Sequence, residues 1–437
     1  MKKFTQKSYI FPSLKGKKVI CSFNGGSISS DGGAILLKEI DRKINLLPFV
    51  AKIIPDKRDP KKTTHTVLEM IRQRVYGIAL GYEDLNDHDT MRNDDVLKVS
   101  VGTDASLASK STLSRLENSV GKQVAFDIHK IFVDQFIASY KTPPEEIILD
   151  FDATDDLVHG NQEGRFFHGY YDNYCFLPLY VFCGNQLLVA YLRKANQDGA
   201  KHAGVILKLI TARIRQEWPS VRIIIRADAG FCRQTMLNWC HRNNVEYIVG
   251  IAKNAVLEKE LTPLMHQAKE QYQASNEKQV LFSTFKYAAT SWPKQKKIIG
   301  KAEYSNRGSN NRFIVTSLEG DPQTLYQKVY CARGDMENRI KEQQLCLFAD
   351  RTSCHAWWAN QFRMLLSALA YILIEQLRSI ALKDTNLQRA QVDTIRLNLF
   401  KIGTRIIMKT RVIYLELASD YPWQSIFQKA YEKLVPT

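Results

Sequence analysis

The sequence is poor in several features that would assign its class at a glance. Only 8 of its 437 residues are cysteine. Cys21, Cys175, Cys183, Cys232, Cys240, Cys331, Cys346 and Cys354 form no C-x-x-C pair, and no two stand near histidines at zinc-finger spacing. A structural zinc site therefore has no support, and scattered free thiols in a reducing cytoplasm are expected. Long apolar runs are also missing. The longest mainly apolar stretch, Met364–Ile374, falls well short of the roughly 20 residues a spanning helix needs. No apolar h-region follows the opening Met1-Lys2-Lys3-Phe4, so a secretory leader is not expected and a cytoplasmic, nucleoid-associated location is. Internal repeats and low-complexity tracts are absent as well. Acid is scarce relative to base, with 45 Asp+Glu against 61 Lys+Arg and a net charge of +16. A hydrophobic fraction of 45% and a charged fraction of 24% are ordinary for a folded protein and exclude global disorder. The excess of positive charge points to a polyanionic partner, without separating DNA, RNA and an anionic membrane surface.

At roughly 100–200 residues per domain the length implies two to four domains. Residues 1–140 read as mainly helical: the stretch His65–Tyr82 repeats Val67, Met70, Ile71, Val75, Ile78 and Ala79 at three- and four-residue steps. The basic residues gather in an N-terminal arm of six lysines, in Lys57, Arg58, Lys61 and Lys62, and between Asn386 and Leu415. From residue 146 the pattern turns to strands. Glu146–Ala153 is followed by two apolar runs joined at Gly184-Asn185, a two-residue hairpin signal. A helix at His202–Trp218, a strand at Val221–Ala227, a helix near Phe231–Arg242 and a strand at Glu246–Ile251 complete the order. That order matches a mixed α/β sheet sandwiched by helices, that of a ribonuclease-H-like core (141–251). Residues 252–321 interrupt it with three β-like runs and read as an inserted β-rich subdomain. The core resumes over 322–378, before a basic C-terminal region at 379–437.

Three acidic positions stand out. In Leu149-Asp150-Phe151-Asp152-Ala153-Thr154 the alternation of a strand puts Asp150, Asp152 and Thr154 on one face. Carboxylates on an otherwise apolar strand cost several kcal/mol if buried without a cation or donors, and a hard ion such as Mg²⁺ is one such cation. A strand end facing solvent is the plainer alternative. Asp228 ends the apolar run Ile223–Ala227 before Gly230, where open α/β sheets carry functional groups and where an Asp also serves as an ordinary helix cap. Tyr330, Arg333, Glu337, Lys341 and Gln344 follow one another at helical steps. They form either a solvated, salt-bridged stripe or a Glu metal ligand flanked by phosphate-gripping cations. Two aspartates on neighbouring strands and a glutamate on a helix packed against them can hold two divalent ions about 3.5–4 Å apart for phosphoryl displacement.

The residues Asp150–Asp156, His159-Gly160-Asn161-Gln162-Glu163-Gly164, Arg226–Phe231 and Arg333–Glu342 resemble those of bacterial insertion-sequence transposases of the DDE type. The thirteen-eighty family is the nearer likeness and the YREK-signature group the more distant. Gly81–Asp87 and Thr112–Asn118 extend the resemblance over nearly the whole chain. It implies that Asp152, Asp228 and Glu337 form a catalytic triad binding two Mg²⁺ ions, with Mn²⁺ as substitute. Asp150 is the rival for the first carboxylate, and Asp152 is preferred because it stands two residues before Thr154. Tyr330, Arg333 and Glu337 match the Tyr-x-x-Arg-x-x-x-Glu spacing. The Lys expected seven residues after the Glu is replaced by Gln344, leaving Lys341 as the candidate substitute. Trp292 in the insertion is a candidate for stacking on an unpaired base, against the alternative of plain packing. Phe166, Phe167, Tyr170, Tyr171 and Tyr174 are expected to be packing residues, and His159 and His168 loop residues. The implied activity is binding of terminal inverted repeats by the helical front, cleavage of the ends and strand transfer into target DNA, by at least a homodimer. A non-catalytic DNA-binding regulator and a metal-dependent nuclease without strand transfer are the alternatives.

Overall fold

The computed structural model describes residues 8–290 and 292–435. Lys2, Lys3 and Lys7 of the basic arm lie outside the described residues. The chain divides into two compact units, residues 118–368 and a second unit made from both ends, 1–117 with 369–437.

The 118–368 unit is built on one nine-stranded sheet. Its strands are β1 (Glu146–Ala153), β2 (Leu179–Cys183), β3 (Gln186–Tyr191), β4 (Arg222–Ala227), β5 (Val245–Ile251), β6 (Gln279–Tyr287), β7 (Lys296–Ser305) and β8 (Arg312–Thr316), with the short pair-strand Gly308–Ser309 on β7. Their spatial order is β6-β7-β8-β5-β4-β1-β2-β3. β4 lies parallel to both β1 and β5, while β2, antiparallel to β1, forms the expected hairpin with β3. Gly184 at its turn has φ +57°, a conformation that costs a glycine nothing. Parallel β1 and β4 put Asp150 level with Arg226.

Period-two alternation gives the sheet two faces. Leu149, Phe151, Ile223, Ile225, Ala227, Tyr247 and Val249 point to one of them. There they meet apolar residues of α1 (Lys122–Ala138), α2 (Ala203–Glu217), α3 (Gln234–Arg242) and α4 (Ala255–Ser275). Each fully buried Leu or Ile contributes roughly 1.5–3 kcal/mol, so this is the principal core. The opposite face carries Ile224, Ile248, Ile299 and Ile314, covered by Leu325, Tyr326 and their neighbours. The covering segment is helical from Pro322 to Cys346 but not uniformly so. α-Helix gives way to π-helical turns at Leu325–Tyr330 and Glu342–Cys346, around a 3₁₀ turn at Cys331–Arg333 and α5 (Gly334–Lys341).

Three features depart from the sequence-based expectations. The strands of 252–321 make no sheet of their own: β8 pairs with β5, and β7 with β8, so they extend the central sheet. The helix over 357–381 is longer than the run Met364–Ile374 suggested. By length and composition it could cross a membrane, yet its most apolar window is 89% buried in the protein, as a core helix is. Finally, α1 belongs with the sheet rather than with the helical front.

In the other unit, helices Ala34–Ile44, Leu46–Ile53 and Val67–Leu80 pack together. Thr66 and Glu69 make a reciprocal capping box at the start of the last, which Gly81 ends at φ +93°. The far end of the chain completes this unit. Thr404–Met408 pairs with Ile413–Leu417 and with Ile28–Ser29, and Lys401 binds the buried Asp31 at 2.6 Å. An exposed hairpin, Tyr9–Leu14 with Lys17–Cys21, carries Lys15 and Gly16 at its turn. Of the basic tail, Arg396 and Lys401 are tied into this packing, whereas Arg389, Arg405, Lys409 and Arg411 are exposed.

Candidate active site

The carboxylates gather on the face of the sheet covered by the 322–346 helix. Asp150 and Asp152 are both buried, at 3% and 7% exposure, but their partners differ. The Arg226 guanidinium donates to both oxygens of Asp150, Nε to Oδ1 at 2.5 Å and Nη2 to Oδ2 at 2.7 Å, and its Nη1 donates to the Val329 carbonyl at 2.6 Å. Burial still pushes the Asp150 carboxyl above its ordinary range, against the pull of Arg226. Its acceptor capacity is committed to a structural pair.

Asp152, two residues on, has no such clamp. Its Oδ1 accepts from its neighbour Ala153 N–H at 2.9 Å and its Oδ2 from Arg333 Nη1 at 3.0 Å. Burial raises its pKa to about 7; Arg333 opposes the shift, while Asp228 and Glu337 add to it. Burial is the main cause, and the like charges of Asp228 and Glu337 act in the same direction.

Asp228 follows β4 and caps the turn Ala229–Phe231, its Oδ1 accepting from Gly230 N–H at 2.8 Å. The capping reading is thus realised, and the same carboxylate acts electrostatically on Asp152 and Arg333. Glu337 on α5 is exposed and accepts from Arg333 Nη2 at 2.8 Å. Arg333 therefore bridges Asp152 and Glu337. Burial works against its charge, but Asp152, Glu337, Tyr330 and Asp228 together hold its pKa above the ordinary guanidinium value.

Tyr330 packs on Tyr326 with ring centroids 5.5 Å apart. Its hydroxyl lies against Gly250 of β5: a Cβ there would sit 2.7 Å from Tyr330 Oη and 2.8 Å from Ala229 N. Sequence reasoning missed Gly250. The available signal was a glycine inside the apolar run Val245–Ile251, which marks a close backbone approach.

Two candidates stand apart. Lys341 is exposed and makes no ion pair among the described residues, and Gln344 is turned to donate to the Asp155 carbonyl at 2.9 Å. The regular stripe assumed a constant 3.6-residue turn. Gln344 lies in the π-helical turn that follows α5 and is thrown out of phase by it, whereas Lys341, still within α5 one turn beyond Glu337, simply faces solvent. Trp292 packs edge-on to Tyr287 at 5.7 Å and against the principal core. That core covers the sheet face opposite to Asp150 and Asp152, in keeping with the packing alternative. Conversely Phe166, Phe167, Tyr170 and Tyr174, expected to be packing residues, are exposed. Tyr171 alone of that group is half-buried.

The donor set suits a hard divalent cation: three carboxylates from three elements, with oxygen the only ligand atom. In this arrangement Arg333 supplies the positive charge the cluster requires. Among the described residues no three His, Cys, Asp or Glu side chains are close enough to share an ion.

The family model described as "Transposase DDE domain group 1" matches residues 11–437. No curated protein matches the sequence. Among solved structures, a piggyBac transposase synaptic complex with hairpin DNA is similar at 12% identity and a TM-score of 0.44, over 85% of this chain and 80% of that one. With the family model spanning nearly its whole length, this chain belongs to the transposase DDE domain group 1 family.

Proposed function

We propose that this protein is an insertion-sequence transposase that cleaves the ends of its element and joins the freed 3′-hydroxyls to target DNA. The observation that carries the reading is that Arg333 bridges Asp152 and Glu337 beside the strand end that carries Asp228, in a chain of the DDE family. The strand order β3-β2-β1-β4-β5, with β2 alone antiparallel to β1, supports a ribonuclease-H-like core extended by the inserted strands. When bound by Asp152, Asp228 and Glu337, Mg²⁺ or Mn²⁺ would activate the attacking oxygen and neutralise charge on the leaving one.

The residues of the chain do the rest. β1 and β4 hold Asp152 and Asp228 side by side on a rigid sheet, so little reorganisation is needed when substrate arrives. Arg333 neutralises the carboxylates in the absence of DNA and is placed to grip a phosphate when one enters. Tyr330, seated on Gly250, fixes the height of the helix above Asp228. Exposed Lys57, Lys61 and Lys62 and the exposed tail arginines supply non-specific attraction for the duplex. Two ends must be joined, so the working complex is at least a homodimer.

The test is Mg²⁺-dependent cleavage of a duplex bearing the element's terminal inverted repeat. Asp152→Ala, Asp228→Ala and Glu337→Ala should each abolish cleavage and leave end binding within about threefold. Normal cleavage by Glu337→Ala would remove that residue from the reaction. Cleavage without joined products would reduce the protein to a nuclease, and binding without cleavage to a regulator.

A further inference from the structure

A three-stranded sheet follows directly on the strand that bears Asp152. It comprises Asp156–Leu157, Asn173–Phe176 and Phe166–His168, all antiparallel. Its base is fixed. Asp156 accepts from Thr352 Oγ1 at 2.9 Å, Asp155 accepts from Gln344, and the Phe176 and Trp357 rings meet edge to face at 5.3 Å. At Gly164, with φ +81°, a Cβ would come 2.6 Å from the Trp357 ring. Its outer part is not used by the fold. Phe167 is 53% exposed, Tyr170 86% and Tyr174 49%, a cost in apolar hydration that a purely structural sheet would avoid.

Positive charge accompanies these rings. The Arg165 guanidinium lies 4.7 Å from the centre of Tyr174, and the Lys194 ammonium 6.0 Å from that of Phe166. Half-buried Tyr171 ties the group together, its ring 4.9 Å from that of His168 and 5.0 Å from that of Tyr170, and burial, with Asp155 and Asp152 adding to it, pushes its pKa up to about 12. Exposed π-faces interleaved with cations are the chemistry that binds unpaired nucleic acid, because every base has a face to stack and every phosphate a charge to meet.

We infer that Phe167, Tyr170 and Tyr174, with Arg165 and Lys194, form a stacking platform for unpaired bases of the DNA strand leading to the Asp152 site. This rests on the transposase reading and adds what it lacks, a place for bases displaced from the duplex at the reacting phosphate. A strand being cut or joined must have its phosphodiester exposed at the carboxylates, and unstacking a terminal base has a cost that the platform offsets. The platform takes over the role the sequence offered to Trp292, which packs on the other sheet face.

The test uses the full-length protein without divalent ion and two probes: a fluorescein-labelled single-stranded oligothymidine, and a blunt duplex of equal length. Phe167→Ala, Tyr170→Ala and Tyr174→Ala should each weaken single-strand binding by roughly tenfold and duplex binding by less than about twofold. Tyr170→Trp should retain single-strand binding. Because the rings are exposed, thermal midpoints should stay near that of the parent, and circular dichroism checks this. Equal losses on both probes, or no loss on the single strand, would overturn the platform. A shift from dimer to monomer on ring removal, with single-strand binding unchanged, would also overturn it and assign the patch to a second copy. The readout is binding without catalysis. A protein that binds through the rings but never cleaves fails as a transposase and not as a platform; cleavage without ring dependence has the opposite meaning.

Discussion

Replacing Asp150 should separate the two aspartates of β1 into a structural and a reacting residue. Arg226 and Asp150 are 9% and 4% exposed as side chains, and Arg226 spends two of its three hydrogen bonds on the carboxylate. In Asp150→Ala the guanidinium stays buried, and it cannot escape by losing its proton. Breaking a buried pair from one side costs about 3–5 kcal/mol. Arg226→Met should cost less, because the stranded Asp150 can take up a proton, and its cost should shrink further in acid. The combined Asp150→Ala/Arg226→Met variant removes both charges and leaves only the Val329 carbonyl without its donor, a loss of about 1–3 kcal/mol. Urea unfolding of the four proteins followed by tryptophan fluorescence gives the cycle, and the pair should couple by at least about 2 kcal/mol. Asp150→Ala molecules that remain folded should still cleave DNA. A cost below about 1 kcal/mol, or a stable Asp150→Ala protein without activity, would refute the argument and transfer the reaction to Asp150.

Three further expectations follow from the same geometry. Gly250→Ala should leave the protein folded but cut cleavage by about a hundredfold or more, since the new methyl collides with Tyr330 and the Asp228 turn; near-parent activity would show that their positions do not matter. Asp156 is buried with its Oδ1 unpartnered, and its pKa is raised well above the usual value by burial. The folded state then binds the extra proton, so stability is full below the unfolded pKa near 4 and falls by up to about 1.4 kcal/mol per pH unit above it. Asp156→Asn should remove that slope and be the more stable protein at about pH 8; parallel pH profiles in urea would contradict this. Arg333→Ala strips the carboxylates of their resident cation. Its thermal midpoint should fall without metal and rise more steeply with Mg²⁺ than the parent's, and equal Mg²⁺ shifts would deny Arg333 that role.

The local chemistry of the site was legible in the sequence, and its assembly was not. Alternation alone put Asp150 and Asp152 on one face, and Gly184-Asn185 announced its hairpin. Which aspartate was clamped depended on the parallel register of β1 with β4, a pairing between residues far apart in the chain that no local pattern encodes. Strands β6 to β8 looked like a separate subdomain because their edge on β5 is equally non-local. The stripe from Tyr330 to Gln344 was misjudged at its end because a π-helical turn leaves no composition signature. The aromatic sheet was read as packing because periodicity reports which residues alternate and not which of the two faces is covered.

That the second unit is made from both ends of the chain bears on the order in which the molecule forms. Ile28–Ser29 must wait for Thr404–Met408 before it has a strand to pair with, and buried Asp31 must wait for Lys401. During synthesis at roughly 5–20 residues per second, the first hundred residues therefore emerge tens of seconds before their partners. The sheet that carries Asp152 and Asp228 is complete in sequence by then, so the part of the chain made first is the last to become native. A chain halted near residue 400 would already contain the carboxylates, Arg333 and the aromatic sheet with its anchors Thr352 and Trp357, while the residues made first still lacked Lys401 and Thr404–Met408.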